Sequence, residues 1–129
     1  MAERRRIYSG AELERRYGYA RAVVAGDRVI VSGTAPIWPD GECDPDPGVQ
    51  AHRCLEIIET ALTEAGAGLA DVVRTRMFVT DASYREAVGA EHARCFSATP
   101  PATSMVVVAG LLDERWKVEI EAEALKASK

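Results

Sequence analysis

The sequence predicts an α+β two-layer sandwich, a mixed β-sheet carrying two helices on one of its faces. Three observations predict it. Two segments repeat apolar or small side chains at helical spacing along one stripe only, so each has a single face to bury. Several short runs alternate with the period of a strand. The predicted order, β-β-loop-α-β-α-β-β, places both one-sided helices against a common sheet.

The elements follow in order. At 129 residues the chain is a single domain, residues 1–129, long enough to bury a core without staples. Residues 1–16 form an N-terminal arm and first strand, and the basic cluster "AERRRIY" reads as a solvated arm. "YARAVVAG" and "DRVIVSG" are two strands joined where Gly26-Asp27 supplies hairpin chemistry. The acidic, proline-rich stretch 36–47 is a loop.

Asp46-Pro47 then reads as an N-cap followed by proline at the first helical position. Ala51, Cys54, Leu55, Ile58, Ala61, Leu62 and Ala65 form the buried stripe of the first helix, and "AGAG" ends it. In the strand "DVVRTRMFVTD", Val73, Thr75, Met77 and Val79 share one face and Arg74, Arg76 and Phe78 the other. Asp81 or Ser83 caps a second helix with a stripe from Tyr84 to Phe96, and "ATPP" closes it. "TSMVVVAGL" and "RWKVEIEAEAL" are the last strands. In the second, Val118, Ile120, Ala122 and Ala124 alternate with Lys117, Glu119, Glu121 and Glu123. The uncovered sheet face is expected to carry Thr103, Met105, Val107, Phe78 and a row of charges. That mixture suits a subunit contact with ligand clefts between copies.

Charge and cysteine usage exclude several classes. A net charge of −4 gives no basic footprint for nucleic acid. No apolar run is long enough to span a bilayer, and the N-terminus lacks the apolar core of a secretory signal, so the expected location is cytoplasmic. Three cysteines at unrelated spacings imply no disulfide framework. Cys54 and Cys95 lie in apolar stripes, whereas Cys43 sits in the loop without a basic neighbour. His52 and His92 fall on separate helices with no evident carboxylate orienter, which argues against a Cys–His or Ser–His pair. No metal site is indicated.

The segments "YGYARAVVAGDRVIVSGTAP", "VVRTRMFVTD" and "PPATSMVVVAGLLDERWKVEIEAEAL" together resemble the RidA/YjgF family of small imine deaminases, in the same order and spacing from about Tyr17 to Leu125. The resemblance implies a chorismate-mutase-like fold and a homotrimer around a central β-barrel, with a small-molecule ligand between subunits. It implies hydrolysis of a reactive enamine or imine to a carbonyl compound and ammonia, with no cofactor. Site positions carry over in part. The family tyrosine falls on Tyr19, the serine and glycine of S-G-Q on Ser32 and Gly33, and the water-handling glutamate on Glu119. The glutamine of S-G-Q falls on Thr34, and the frequent cysteine of the C-terminal motif on Met105. The arginine of P-A-R-S, which grips a substrate carboxylate, falls on Thr103.

A threonine cannot copy the planar two-donor fork of a guanidinium. The substrate is therefore expected to differ from 2-aminoacrylate, or another cation takes the role. Arg21, on the same strand face as Tyr19, is the first candidate and Arg76 the second. The alternative is a non-catalytic trimer of the same fold that binds a small molecule or a partner. The endoribonuclease activity ascribed to some relatives is disfavoured by the acidic balance and the lack of a histidine pair.

Overall fold

The structure, a computed structural model, describes residues 3–127. It contains β1 (Arg4–Ile7), α1 (Glu12–Tyr17), β2 (Ala22–Ala25), β3 (Arg28–Thr34), α2 (Pro47–Glu64), β4 (Val72–Val79), α3 (Arg85–Phe96), β5 (Ala102–Val107) and β6 (Val118–Leu125). Six strands form one sheet in the order β1-β2-β3-β6-β4-β5. All neighbours are antiparallel except β4 and β5, which run parallel. The sheet is mixed and the fold is α+β, as the sequence predicts.

Local chemistry sets the element ends. Asp46 caps α2, its carboxylate accepting from the Gly48 and Val49 amides at 2.8 and 3.1 Å. The β2–β3 turn pairs Ala25 with Arg28 and leaves Gly26 at φ 63°, a conformation that costs glycine little. The core lies between the helices and one sheet face. Leu55, Ile58 and Leu62 of α2 and Val88 and Phe96 of α3 pack on Val29, Val31, Met77, Val79, Val118 and Ile120. The other sheet face is mixed: Arg76–Glu121 and Arg28–Glu123 pairs at 2.9 and 3.2 Å lie beside the exposed apolar side chains of Ile30 and Val106.

Two expectations are corrected and two features are added. The first strand within residues 1–16 is Arg4 to Ile7, which pair with Ala25 to Ala22 and keep their arginines exposed. A short helix, α1, follows it and ends at Gly18, φ 77°. Val73 does not share the core face of β4. The β4–β6 register shifts between Val72 and Arg74, so Val72 is buried and Val73 is exposed. Finally, Thr103, Met105 and Val107 do not lie beside Phe78. Parallel pairing aligns them with Thr75, Met77 and Val79, which face the helices, and Met105 packs against the core.

One buried polar side chain ties two loops to α2. Gln50 is fully buried. Its Nε2 donates to the carbonyls of Asp44 and Arg115 at 2.8 and 2.9 Å, and its Oε1 accepts from the Lys117 amide at 2.7 Å. An amide is the side chain that can both donate twice and accept here. Replacing it with leucine strands three backbone groups, each partly desolvated. Gln50→Leu is expected to lower stability by about 2–4 kcal/mol. Urea denaturation would register this as a lower midpoint with an unchanged slope.

Candidate active site

The cleft begins with an irregularity in the sheet. The β3–β6 register shifts between Val31 and Thr34, so Ser32 and Gly33 bulge out of the ladder. Bulges free backbone groups and re-aim side chains, and here neighbours satisfy those groups. Ser32 Oγ donates to the Ala20 carbonyl at 2.7 Å, and Thr34 Oγ1 donates to the Ser32 carbonyl at 2.8 Å. Arg21 Nη2 donates to the Gly33 carbonyl at 2.8 Å.

Gly33 leaves room for a neighbouring side chain rather than serving backbone freedom. A β-carbon built on it would collide with Glu119 Oε2, which would have to shift. The missing side chain lets the Glu119 carboxylate rest on the bulge. Burial raises the Glu119 pKa above the usual carboxylate range; the nearby Arg21 charge partly offsets this, and Glu121 adds to it.

Arg21 is the residue whose surroundings most call for a ligand. It is 7% exposed. Its Nε is buried with no hydrogen-bond partner among the described residues, and the guanidinium carbon lies 5.9 Å from the centre of the Tyr19 ring. A buried cation with an unused donor is costly, and an anion arriving beside it relieves that cost.

These residues open onto a cleft of about 850 Å³. One wall is made by α1 and its flanking turn, another by Trp38, Leu112 and Trp116 from two loops. Tyr19 and Ser32 also line a neighbouring cleft of about 740 Å³. The large apolar walls and few convergent polar groups are those of a small-molecule site.

Tyr19, Arg21, Ser32, Gly33 and Glu119 therefore come together in one chain. Thr103 and Met105 do not join them: they sit on β5, separated from β6 by β4. Thr103 Oγ1 instead lies 2.6 Å from Thr75 Oγ1. Arg76 is held by Glu121 at 2.9 Å and does not line this cleft. Sequence reasoning missed Arg53, Trp38 and Trp116. Arg53 lines the cleft and anchors the loop by donating from Nε to the Ile37 carbonyl at 2.7 Å. The signal was Ile57, an apolar residue outside the main stripe of α2 and one turn from Arg53.

Other residues also depart from expectation. His52 does have carboxylates beside it, Glu91 at 3.1 Å and Glu56 at 3.5 Å. Cys43 does have basic neighbours, Arg115 and Lys117, yet burial is the larger influence and raises its pKa. Cys95 is partly exposed, packed against the core rather than within it, while Cys54 is fully buried.

Comparison with known proteins bears on the whole chain. Residues 10–126 match the family model described as Endoribonuclease L-PSP. The crystal structure of Rv2704 from Mycobacterium tuberculosis, a member of the YjgF/YER057c/UK114 family, superposes with a TM-score of 0.88 at 45% identity, covering 95% of this chain and 99% of that one. The Escherichia coli K12 protein named 2-iminobutanoate/2-iminopropanoate deaminase is 36% identical over 112 residues, 84% of this chain and 87% of its own. Escherichia coli TdcF with bound serine superposes with a TM-score of 0.79 at 30% identity, covering 84% of this chain and 88% of that one. No helix among the described residues is long and apolar enough to cross a membrane.

Proposed function

The chain belongs to the Endoribonuclease L-PSP family, which includes the RidA/YjgF imine deaminases, and from that premise we propose that it hydrolyses a reactive imine or enamine to a carbonyl compound and ammonia. The observation that carries this reading is the pairing of Arg21, buried with an unused donor, with the Glu119 carboxylate above Gly33. A relative named for 2-iminobutanoate and 2-iminopropanoate, and another with bound serine, support a small amino-acid-like ligand.

In this reading Glu119 takes a proton from water as the water oxygen bonds to the carbon of the protonated imine, C=NH₂⁺, giving a neutral carbinolamine. The protonated carboxyl returns that proton to the amine nitrogen; the C–N bond then breaks as the hydroxyl C–O closes to C=O, ammonia leaves, and the hydroxyl proton passes to the Glu119 carboxylate. A carboxyl whose pKa is raised is a better base toward water and can still return the proton it takes. Arg21 holds the anionic end of the substrate, the task the family gives to the arginine that Thr103 replaces. Tyr19 closes the cleft, and Ser32, its proton spent on Ala20, offers lone pairs to a substrate N–H. Thr103 and Met105 complete the site from the edge strand of a second copy, in a homotrimer.

Ammonia release from imines generated in place by an amino-acid oxidase tests the reading. Acceleration by the protein supports it. No acceleration for acidic, neutral and bulky imines alike would leave a non-catalytic binding module, the reading that the loss of the arginine at Thr103 favours. Gly33→Ala probes the geometry directly. Its new methyl displaces the carboxylate, and a displacement near 1 Å is expected to cost on the order of 10²-fold in rate with the fold intact by circular dichroism.

A further inference from the structure

Behind Thr103 a chain of polar atoms crosses the parallel β4–β5 seam. Thr75 is fully buried, and its Oγ1 lies 2.6 Å from Thr103 Oγ1 and 2.8 Å from His92 Nε2. A threonine hydroxyl has one proton, so Thr75 donates to one neighbour and accepts from the other. The chain can then run in two directions. With the imidazole proton on Nδ1, His92 Nε2 accepts from Thr75, Thr75 accepts from Thr103, and Thr103 turns a lone pair outward. With the proton on Nε2, the imidazole donates to Thr75, Thr75 donates to Thr103, and Thr103 turns its O–H outward.

The surroundings leave this choice open. Burial alone lowers the His92 pKa, so the two directions correspond to two neutral tautomers at neutral pH. Glu91 and Arg94, its neighbours on α3, are engaged with His52 instead. The ring of Phe96, centred 4.6 Å away, carries no charge.

We propose that His92 is a positioning residue that sets the hydrogen-bond polarity of Thr103, so that one hydroxyl meets either a donor imine nitrogen or an acceptor carbonyl or carboxylate oxygen. An arginine has donors only and can serve just the second kind. The proposal rests on the reading that Thr103 faces the ligand in a neighbouring copy's cleft. It extends that reading to substrate class: the position favours a reacting C=NH group and its C=O product over a permanent carboxylate.

Nitrogen NMR of histidine-labelled protein tests it, because the Nε2 resonance distinguishes the tautomers. Pyruvate, which offers acceptors, is expected to move His92 Nε2 upfield toward the protonated, pyrrole-type position. Acetamidinium, which offers only donors, is expected to move it toward the unprotonated position. Both responses should vanish in Thr75→Val and persist in Thr75→Ser, which keeps the hydroxyl. If pyruvate moves the Thr103 methyl resonance but not His92 Nε2, the proposal falls and the reading of the site stands. If neither resonance moves, both fall. Equal movement with the two probes, or an unchanged response in Thr75→Val, also overturns the relay.

Discussion

Glu119→Gln is expected to lower the imine-hydrolysis rate by about 10²–10⁴-fold, the usual contribution of a positioned acid–base group. The glutamine keeps the shape above Gly33 and loses the proton-transfer function, so substrate affinity should change far less than turnover. The pH profile gives a second readout. Because burial raises the Glu119 pKa, the acidic limb of the wild-type rate should lie above the ordinary glutamate range, and residual activity in the variant should lack that limb. Stability is expected to move the opposite way. A carboxyl with a folded pKa above its unfolded one binds more protons folded than unfolded. Wild-type stability then declines as pH climbs from the ordinary value through the raised one, and the variant escapes that decline. Thermal melts at pH 4 and pH 8 should show Glu119→Gln gaining on the wild type only at the higher pH. Equal activity in the two proteins would remove Glu119 from the chemistry.

Arg21→Leu is the second large effect. Removing a buried charge that grips an anion commonly costs about 2–5 kcal/mol, or on the order of 30- to several-thousand-fold in KM for an anionic imino acid. Arg21 also holds the Gly33 carbonyl, so some loss would follow from a disturbed bulge alone. Comparing substrates separates the two causes. A disturbed bulge lowers kcat for every imine, whereas a lost anchor raises KM for anionic ones and spares neutral ones. Arg21→Lys should recover part of the affinity, since it keeps the charge without the planar fork. A uniform fall across both substrate classes would show that Arg21 only props the backbone.

The strands and helices with strict periodicity were legible because burial leaves its mark on every second or every third and fourth residue. The alternation Val118, Ile120, Ala122 and Ala124 is all buried, as read. The illegible parts have physical reasons. "RRRI" bears no alternation, since β1 is an edge strand whose exposed arginines need no buried partner set. α1 has only six residues, too few for periodicity to register. Period two divides β5 into two sets but does not say which set faces the helices. Pairing with β4 decides that, and it put Thr103 beside Thr75. The cleft was half readable: residues near the bulge are close in sequence to one another or to the strand that pairs with them. Trp38 and Trp116 arrive on loops whose course no local pattern reveals.

Those two loops also say how such a cleft can be rebuilt. Both are fastened to α2 through the Gln50 amide, at Asp44, Arg115 and Lys117, while the sheet beneath keeps its own ladder. In the proposed function, the wall that would select a ligand and the floor that would perform the chemistry are thus separable inheritances. Substitutions at Trp38, Leu112 or Trp116 can retune the shape of what enters without trespassing on Glu119, provided the one glutamine beneath them is retained.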